Sequence, residues 1–317
     1  MTEIPKAADA DSVTEPASAS TLLARYLHRQ RETILDGQIA AGAHDDPDAV
    51  ADMVVAARRA RGALAAHRKT ARTQPEVHRL IEELRWFGIT VGSAHELRTQ
   101  AAWLLAAADL LRPRYVRGPV RARISGYFAD RTRPAWIAGR ELLASPRFPA
   151  MVEDLMAEER LLRSTVVPGI DDVDNTAVLE ALLERVRSRM RAVESARGED
   201  TRDAAMHGLR KAIRRTRYYL ESVDDVAPAR NAQACQGLAA VQDLLGGHQD
   251  AAVAKHHLMQ IAREAENAGE STFTYGLLLQ REIDRAAQYS AALPSAYWQA
   301  LRGARVMADV HLGSAAE

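Results

Sequence analysis

From Thr21 onward, apolar residues return every three or four positions. In "LLARYLHRQRETILDGQIAAG" Leu22, Leu23, Tyr26, Leu27 and Ile34 fall on one helical face, which predicts an amphipathic helix ending near Gly42. "HDDPDAVADMVVAARRARGALAAHRK" repeats the pattern through Val50, Met53, Ala57 and Leu64, with Asp45 or Asp46 as cap and Pro47 tolerated in the first turn. A third helix is expected from about Gln74 through "EVHRLIEELRWFGITVG", and "SAHELRTQAAWLLAAADLL" makes a fourth. Pro113, Gly118 and Pro119 mark its exit. A longer helix broken near Pro134 and a short one from Pro146 to Glu159 follow. Strand formers are sparse, with 5% aromatic residues, so the fold class is all-α.

After the turn-rich "VVPGIDDVDNT" the cycle starts again. Helices are expected at Leu179 to Val193, Ala204 to Ser222, Ala227 to Leu245 and Gly247 to Ala268, with a long closing helix in "STFTYGLLLQREIDRAAQYSAAL". Each half therefore has an opening helix, an arginine-rich helix, a helix ending in glycine and one that starts at once. A repeat of about 140 residues exceeds the solenoid periods and indicates two antiparallel helical bundles in tandem. The expected boundaries are a disordered tail over 1–19, a first bundle over 20–168 and a second over 169–312.

The first twenty residues are polar and lack the apolar segment of a signal peptide. The longest apolar run, "AAWLLAAADLL", is too short for a bilayer and contains Asp109, so no membrane insertion is expected. The single cysteine, Cys235, reads as a buried helix residue.

Charge is balanced overall, with 42 basic and 42 acidic residues, yet "MHGLRKAIRRTRYYL" has no acid. His207, Arg210, Lys211, Arg214 and Arg215 share one helical face, while Leu209, Ile213, Thr216 and Leu220 can face a core. Such a stripe repels itself unless an anion covers it, and successive guanidinium forks match a ligand carrying repeated phosphates. Nucleic acid is disfavoured as that polyanion: only Tyr218 and Tyr219 lie nearby for stacking, and no recognition motif is present.

These residues carry a resemblance to the conserved histidine α-helical domain (CHAD) family. "AMHGLRKAIRRTRYYLE" is similar to its histidine-led basic pattern at His207, Arg210, Lys211, Arg214, Arg215, Arg217 and Tyr218. "VQDLLGGHQDAAVAKHHL" resembles its "LQDxLGxxxD" segment, with Gly246, Asp250 and Lys255 on matching positions, and the closing "NAGESTFTYGLLLQRE" is also similar. The resemblance spans roughly 20 to 305. It implies two pseudo-symmetric four-helix bundles around a basic central cavity that binds inorganic polyphosphate, in the cytoplasm and in association with polyphosphate granules.

The first half departs from this pattern. In "AVADMVVAARRARGAL" the family histidine falls on Ala51 and its first arginine on Val54, and only Arg58, Arg59 and Arg61 stay basic. "VGSAHELR" keeps Gly92 but has His95 and Glu96 where the family has arginine and aspartate. One cavity wall is then strongly charged and the other weakly so, with partial compensation from the arginines of "LRPRYVRGPVRARISGYFADRTR". The expected polyphosphate contacts are His207, Arg210, Lys211, Arg214, Arg215, Arg217, Lys255, Arg58 and Arg59.

Nothing points to catalysis. There is no Walker-type loop, nucleophile elbow or paired carboxylate set to clamp magnesium at the stripe. His248, Asp250, His256 and His257 lie close in sequence but lack a metal-ligand pattern, so neither metal nor cofactor is expected. A non-catalytic polyphosphate-binding module is the leading expectation. The alternatives are a helical interaction protein whose basic groove takes an acidic protein partner, and an enzyme acting on phosphate chains.

Overall fold

Asp174 shows how local chemistry sets a helix boundary: its carboxylate accepts the Thr176 amide at 2.8 Å and caps the helix that opens the second half. The computed structural model describes residues 17–44, 47–67, 74–164, 166–168, 170–172, 174–223 and 228–314. Among these the regular elements are all helical: α1 (Ala19–His44), α2 (Pro47–Ala66), α3 (Pro75–Asp109), a 3-10 turn (Pro113–Tyr115), α4 (Val120–Ala144), α5 (Arg147–Ser164), α6 (Asn175–Ser195), α7 (Glu199–Ser222), α8 (Pro228–Asn267) and α9 (Phe273–Ser314). No helix among the described residues is long and apolar enough to cross a membrane. Most of the expected tail, residues 1–16, and the expected caps Asp45 and Asp46 lie outside the described residues.

Two helix groups match the repeat. Leu23, Leu27 and Ile34 of α1 pack with Met53 and Ala57 of α2, Leu84 and Phe87 of α3, and Phe148 and Leu155 of α5. In the second group Leu183 and Val186 of α6 meet Leu209 and Ile213 of α7, Leu238 of α8, and Tyr297 of α9. Asp171, in the linker, accepts the Ser20 amide at 2.8 Å and the Val167 amide at 2.7 Å, tying the linker to the start of α1.

The expected breaks at the glycines are corrected by the structure. Gly92 lies inside the 35-residue α3, and Gly246 and Gly247 lie inside the 40-residue α8. A helix-interior glycine costs only about 1 kcal/mol against alanine, which packing readily offsets. Two of these sites need the missing side chain: a β-carbon at Gly247 would overlap the Tyr289 ring, and one at Gly92 would press on Val54. Pro134 likewise stays within α4, on an exposed face where water can serve the carbonyl it releases.

Unbroken helices produce a feature that residue spacing alone does not specify. The hairpins α3–α4 and α8–α9 extend past their own bundles and meet in a third core. Leu104, Ile124 and Phe128 pack there with Leu258, Ile261 and Tyr275. Gly269, at φ 73°, closes α8, with the Glu270 amide bonded to the Ala265 carbonyl at 2.9 Å. Gly198, at φ 84°, turns the chain into α7, where Glu199 and Asp200 sit favourably in the first turn.

Candidate anion-binding seam

Helix α7 divides its faces as its spacing requires. Leu209, Ile213, Thr216 and Leu220 are buried, whereas His207, Arg210, Arg214 and Arg215 are half-buried and Lys211 is exposed. Tyr218 and Tyr219 are buried too, so neither ring is available for base stacking. Tyr219 instead donates its hydroxyl to Asn175 Oδ1 at 2.8 Å.

The stripe faces the first half. Helix α2 packs on α7, with Gly62 against the Tyr218 ring, and this contact brings basic residues from both repeats together. Burial pushes the Arg214 guanidinium down to about 10; Arg210, Arg61 and Arg58 push the same way, and Tyr218 opposes them. Burial also lowers Arg61, helped by Arg58 and Arg85. Arg210 has a buried Nε with no hydrogen-bond partner. The seam therefore gathers cations from α2, α3 and α7 that disfavour one another's charge, with Arg85 of α3 itself paired to Glu82 at 3.2 Å.

His207 stands at one end of this cluster, its Nδ1 3.0 Å from Gln249 Oε1. Burial, then Lys211, Arg210 and Arg214, lower its pKa, while the Gln249 contact resists. The ring therefore favours the neutral form. Burial raises the Asp250 carboxyl, against the pull of Arg210 and Arg285.

Carboxylates hold several of the expected contacts. Arg58 pairs with Glu96 at 2.5 Å, so the residue in place of the family aspartate draws on the first-half wall. Glu221 takes Arg217 at 2.8 Å and accepts the Tyr26 hydroxyl at 2.8 Å, and Arg59 Nε stands 3.4 Å away, out of hydrogen-bond alignment. Lys255 lies toward the N-terminal end of α7, bonded to Glu199 and 3.7 Å from Asp203. Arg210, Arg214, Arg58 and His207 thus gather at the seam, Arg58 with Glu96 as its carboxylate partner, while Arg59, Arg217 and Lys255 begin in ion pairs of their own.

Two seam residues were missing from the expected contacts. Arg61 lies three positions after Arg58, a spacing that could have placed it on the same face. Arg85 comes from α3, and only the packing of α2 on α3 brings it near. Three of the arginines expected to compensate are held elsewhere: Arg121 pairs with Asp109, Arg123 with Glu270 and Arg131 with Glu264, all around the hairpin tips.

The histidines turn to separate neighbours. His248 Nε2 is 3.4 Å from Asp203, His256 accepts from Gln260 at 2.7 Å, and His257 Nδ1 is 2.9 Å from the Tyr127 hydroxyl. Among the described residues no group of three histidine, cysteine, aspartate or glutamate side chains could hold a metal ion.

Two pseudo-symmetric helix groups joined along a cationic seam define a tandem-bundle helical domain. The chain belongs to the CHAD-domain family, whose model matches residues 25–259. Two Mycobacterium tuberculosis relatives, the uncharacterized proteins MT2285 and Rv2226, are each 32% identical over 285 residues, 86% of this chain and 52% of theirs. The chain therefore spans about half the length of the curated relatives it matches. Among solved structures, PptA from Streptomyces chartreusis superposes with a TM-score of 0.69 at 20% identity, covering 89% of this chain and all of that one. The CHAD domain from the plant Ricinus communis gives 0.66 at 23% identity, covering 93% of this chain and 96% of that one. Both structural likenesses are likenesses of fold. Family membership supports a general anion-binding, non-catalytic role.

Proposed function

We propose that the α2–α7 seam binds inorganic polyphosphate without chemical change. The carrying observation is the convergence of Arg58, Arg61, Arg210 and Arg214 from two repeats, with the buried Arg210 Nε left without a protein partner. Mutual repulsion makes this arrangement costly until an anion enters, and a chain of phosphates can satisfy several forks in succession. Lys211, Arg215 and His207 extend the contact along α7. Arg59, Arg217 and Lys255 join by exchanging carboxylates for phosphate. The site of action in this proposal is the cytoplasm, on polyphosphate granules.

A second reading is favoured by the ion pairs themselves. Glu96 and Glu221 already neutralise seam arginines with carboxylates, which is what an acidic protein segment would do from outside. One titration tests the first reading: long-chain polyphosphate is added to the protein at rising ionic strength, with nucleic acid as competitor. Polyphosphate binding that weakens steeply with salt and survives the competitor is expected, because each neutralised phosphate releases condensed counterions. Failure to bind even at low salt overturns the proposal.

A further inference from the structure

Each bundle carries a cavity beside its arginine-rich helix, and the two have diverged chemically. The first, of about 290 Å³, lies between α1, α2 and the α3–α4 hairpin. The second, of about 480 Å³, lies between α7 and the α8–α9 hairpin. Both are lined along one face of the hairpin's second helix, by α4 positions 136, 139, 140, 143 and 144 in the first and by α9 positions 283, 286, 287, 290 and 291 in the second.

In the second bundle the cavity neutralises itself. Lys255 bonds Glu199 and lies 3.7 Å from Asp203, and His248 is 3.4 Å from Asp203. The first cavity has no acidic lining residue among those described. Its walls are largely apolar, with Val50, Trp136 and Leu143, and its cations are Arg98 and Arg140 beside His95. The Arg140 guanidinium is held 4.8 Å from the Trp136 ring centroid. Arg98 and Arg140 are both exposed to solvent.

An apolar chamber with a few convergent polar groups is the usual form of a small-molecule site, and its volume sits at the small end of that range. Two guanidinium forks beside apolar walls fit one planar anionic head on a compact apolar body. A polyphosphate chain fits this description poorly, because beyond those two forks the walls offer it only His95 and Gln38 among apolar side chains. We propose that the first-bundle cavity binds a small organic carboxylate, with an aromatic or branched apolar body against Trp136 and Val50 and the carboxylate on Arg98 and Arg140. The worn first repeat would then have exchanged phosphate-chain contacts for a separate ligand site.

The test uses phenylacetate and 4-methylvalerate, with phenylacetamide as the neutral isostere and phenyl phosphate as the alternative head group. Binding is read on the full chain by saturation-transfer NMR and by tryptophan fluorescence, compared with Trp136→Phe. Saturable binding of the carboxylates is expected, with the amide weaker by roughly tenfold, as loss of a charge-assisted contact dictates. The double variant Arg98→Gln, Arg140→Gln changes exposed side chains only and should remove that preference while keeping the helical circular-dichroism signal. Absence of carboxylate binding overturns the proposal, as does binding unchanged in the double variant. Displacement by long-chain polyphosphate would place the ligand in the seam and overturn it too, and tighter binding of phenyl phosphate would overturn the carboxylate assignment.

Discussion

The ring of Tyr218 lies against Gly62, at a point where a β-carbon on residue 62 would overlap Cδ2 of the ring. In the register that matches Arg58 to Arg214, these two residues hold equivalent positions in the repeats. One repeat supplies the ring and the other the space for it. That asymmetry lets α2 and α7 approach closely enough for their arginines to share one seam.

Gly62→Leu should therefore destabilise the fold by about 1–3 kcal/mol, the usual cost of overpacking. Better helix propensity returns at most about 1 kcal/mol. The buried Tyr218 ring has little room to swing aside. Urea denaturation measures the loss, and Tyr218→Ala in the same chain should restore part of it. A variant as stable as the parent would show that α2 and α7 tolerate separation.

The proposed seam ranks its own residues. Arg214→Ala with Arg215→Ala should weaken polyphosphate binding much more than Arg58→Ala with Arg59→Ala, because Arg58 and Arg59 begin beside Glu96 and Glu221. Titrations of both double variants at one salt concentration make the comparison. Equal losses would refute an asymmetric seam.

Glu221 competes for the same arginines. Glu221→Gln removes the carboxylate that holds Arg217 and faces Arg59, while an amide oxygen can still accept the Tyr26 hydroxyl. Polyphosphate affinity should rise roughly three- to tenfold, in keeping with loss of a charge-assisted competitor. Unchanged affinity would mean that Arg59 and Arg217 stay outside the bound chain.

His207 gives binding a pH dependence with a definite sign. Burial and then Lys211 lower its pKa in the free protein, so it favours the neutral form, whereas a bound polyanion favours the imidazolium. Binding then takes up a proton, and affinity should increase as pH falls through the usual histidine range near 6.5. His207→Ala should flatten that rise, which calorimetric titrations in buffers of different ionisation enthalpy would detect as lost proton uptake.

His67 links acid stability to the junction between the bundles. Its ring is buried, 5.3 Å from the Tyr219 ring, with Nε2 3.4 Å from Ser222 Oγ, and burial pushes its pKa down to about 4. The unfolded chain therefore binds this proton more readily than the folded one, so stability falls as pH drops from about 6.5 toward 4. The contribution is on the order of 3 kcal/mol. His67→Gln should be less stable at neutral pH but lose less on acidification, as urea midpoints across that window would show.

The sequence by itself determined the helical class, the two-fold repetition and the face of α7 that carries charge. These depend on residues three or four apart, whose spatial relation the helix geometry dictates. It also identified His207, Arg210 and Arg214 as neighbours on one stripe. Glycine does not end these helices because propensity is a weak term: Gly92 and Gly247 sit where partner side chains need their space, and packing keeps the helices unbroken. Only the tertiary structure decided which charges meet. Arg61 and Arg85 join the seam, Glu96 and Glu221 draw on it, and Lys255 turns to Glu199. The physical reason is that charges interact through space at a few ångströms, so partners far apart along the chain are chosen by how helices stack and not by how residues are spaced.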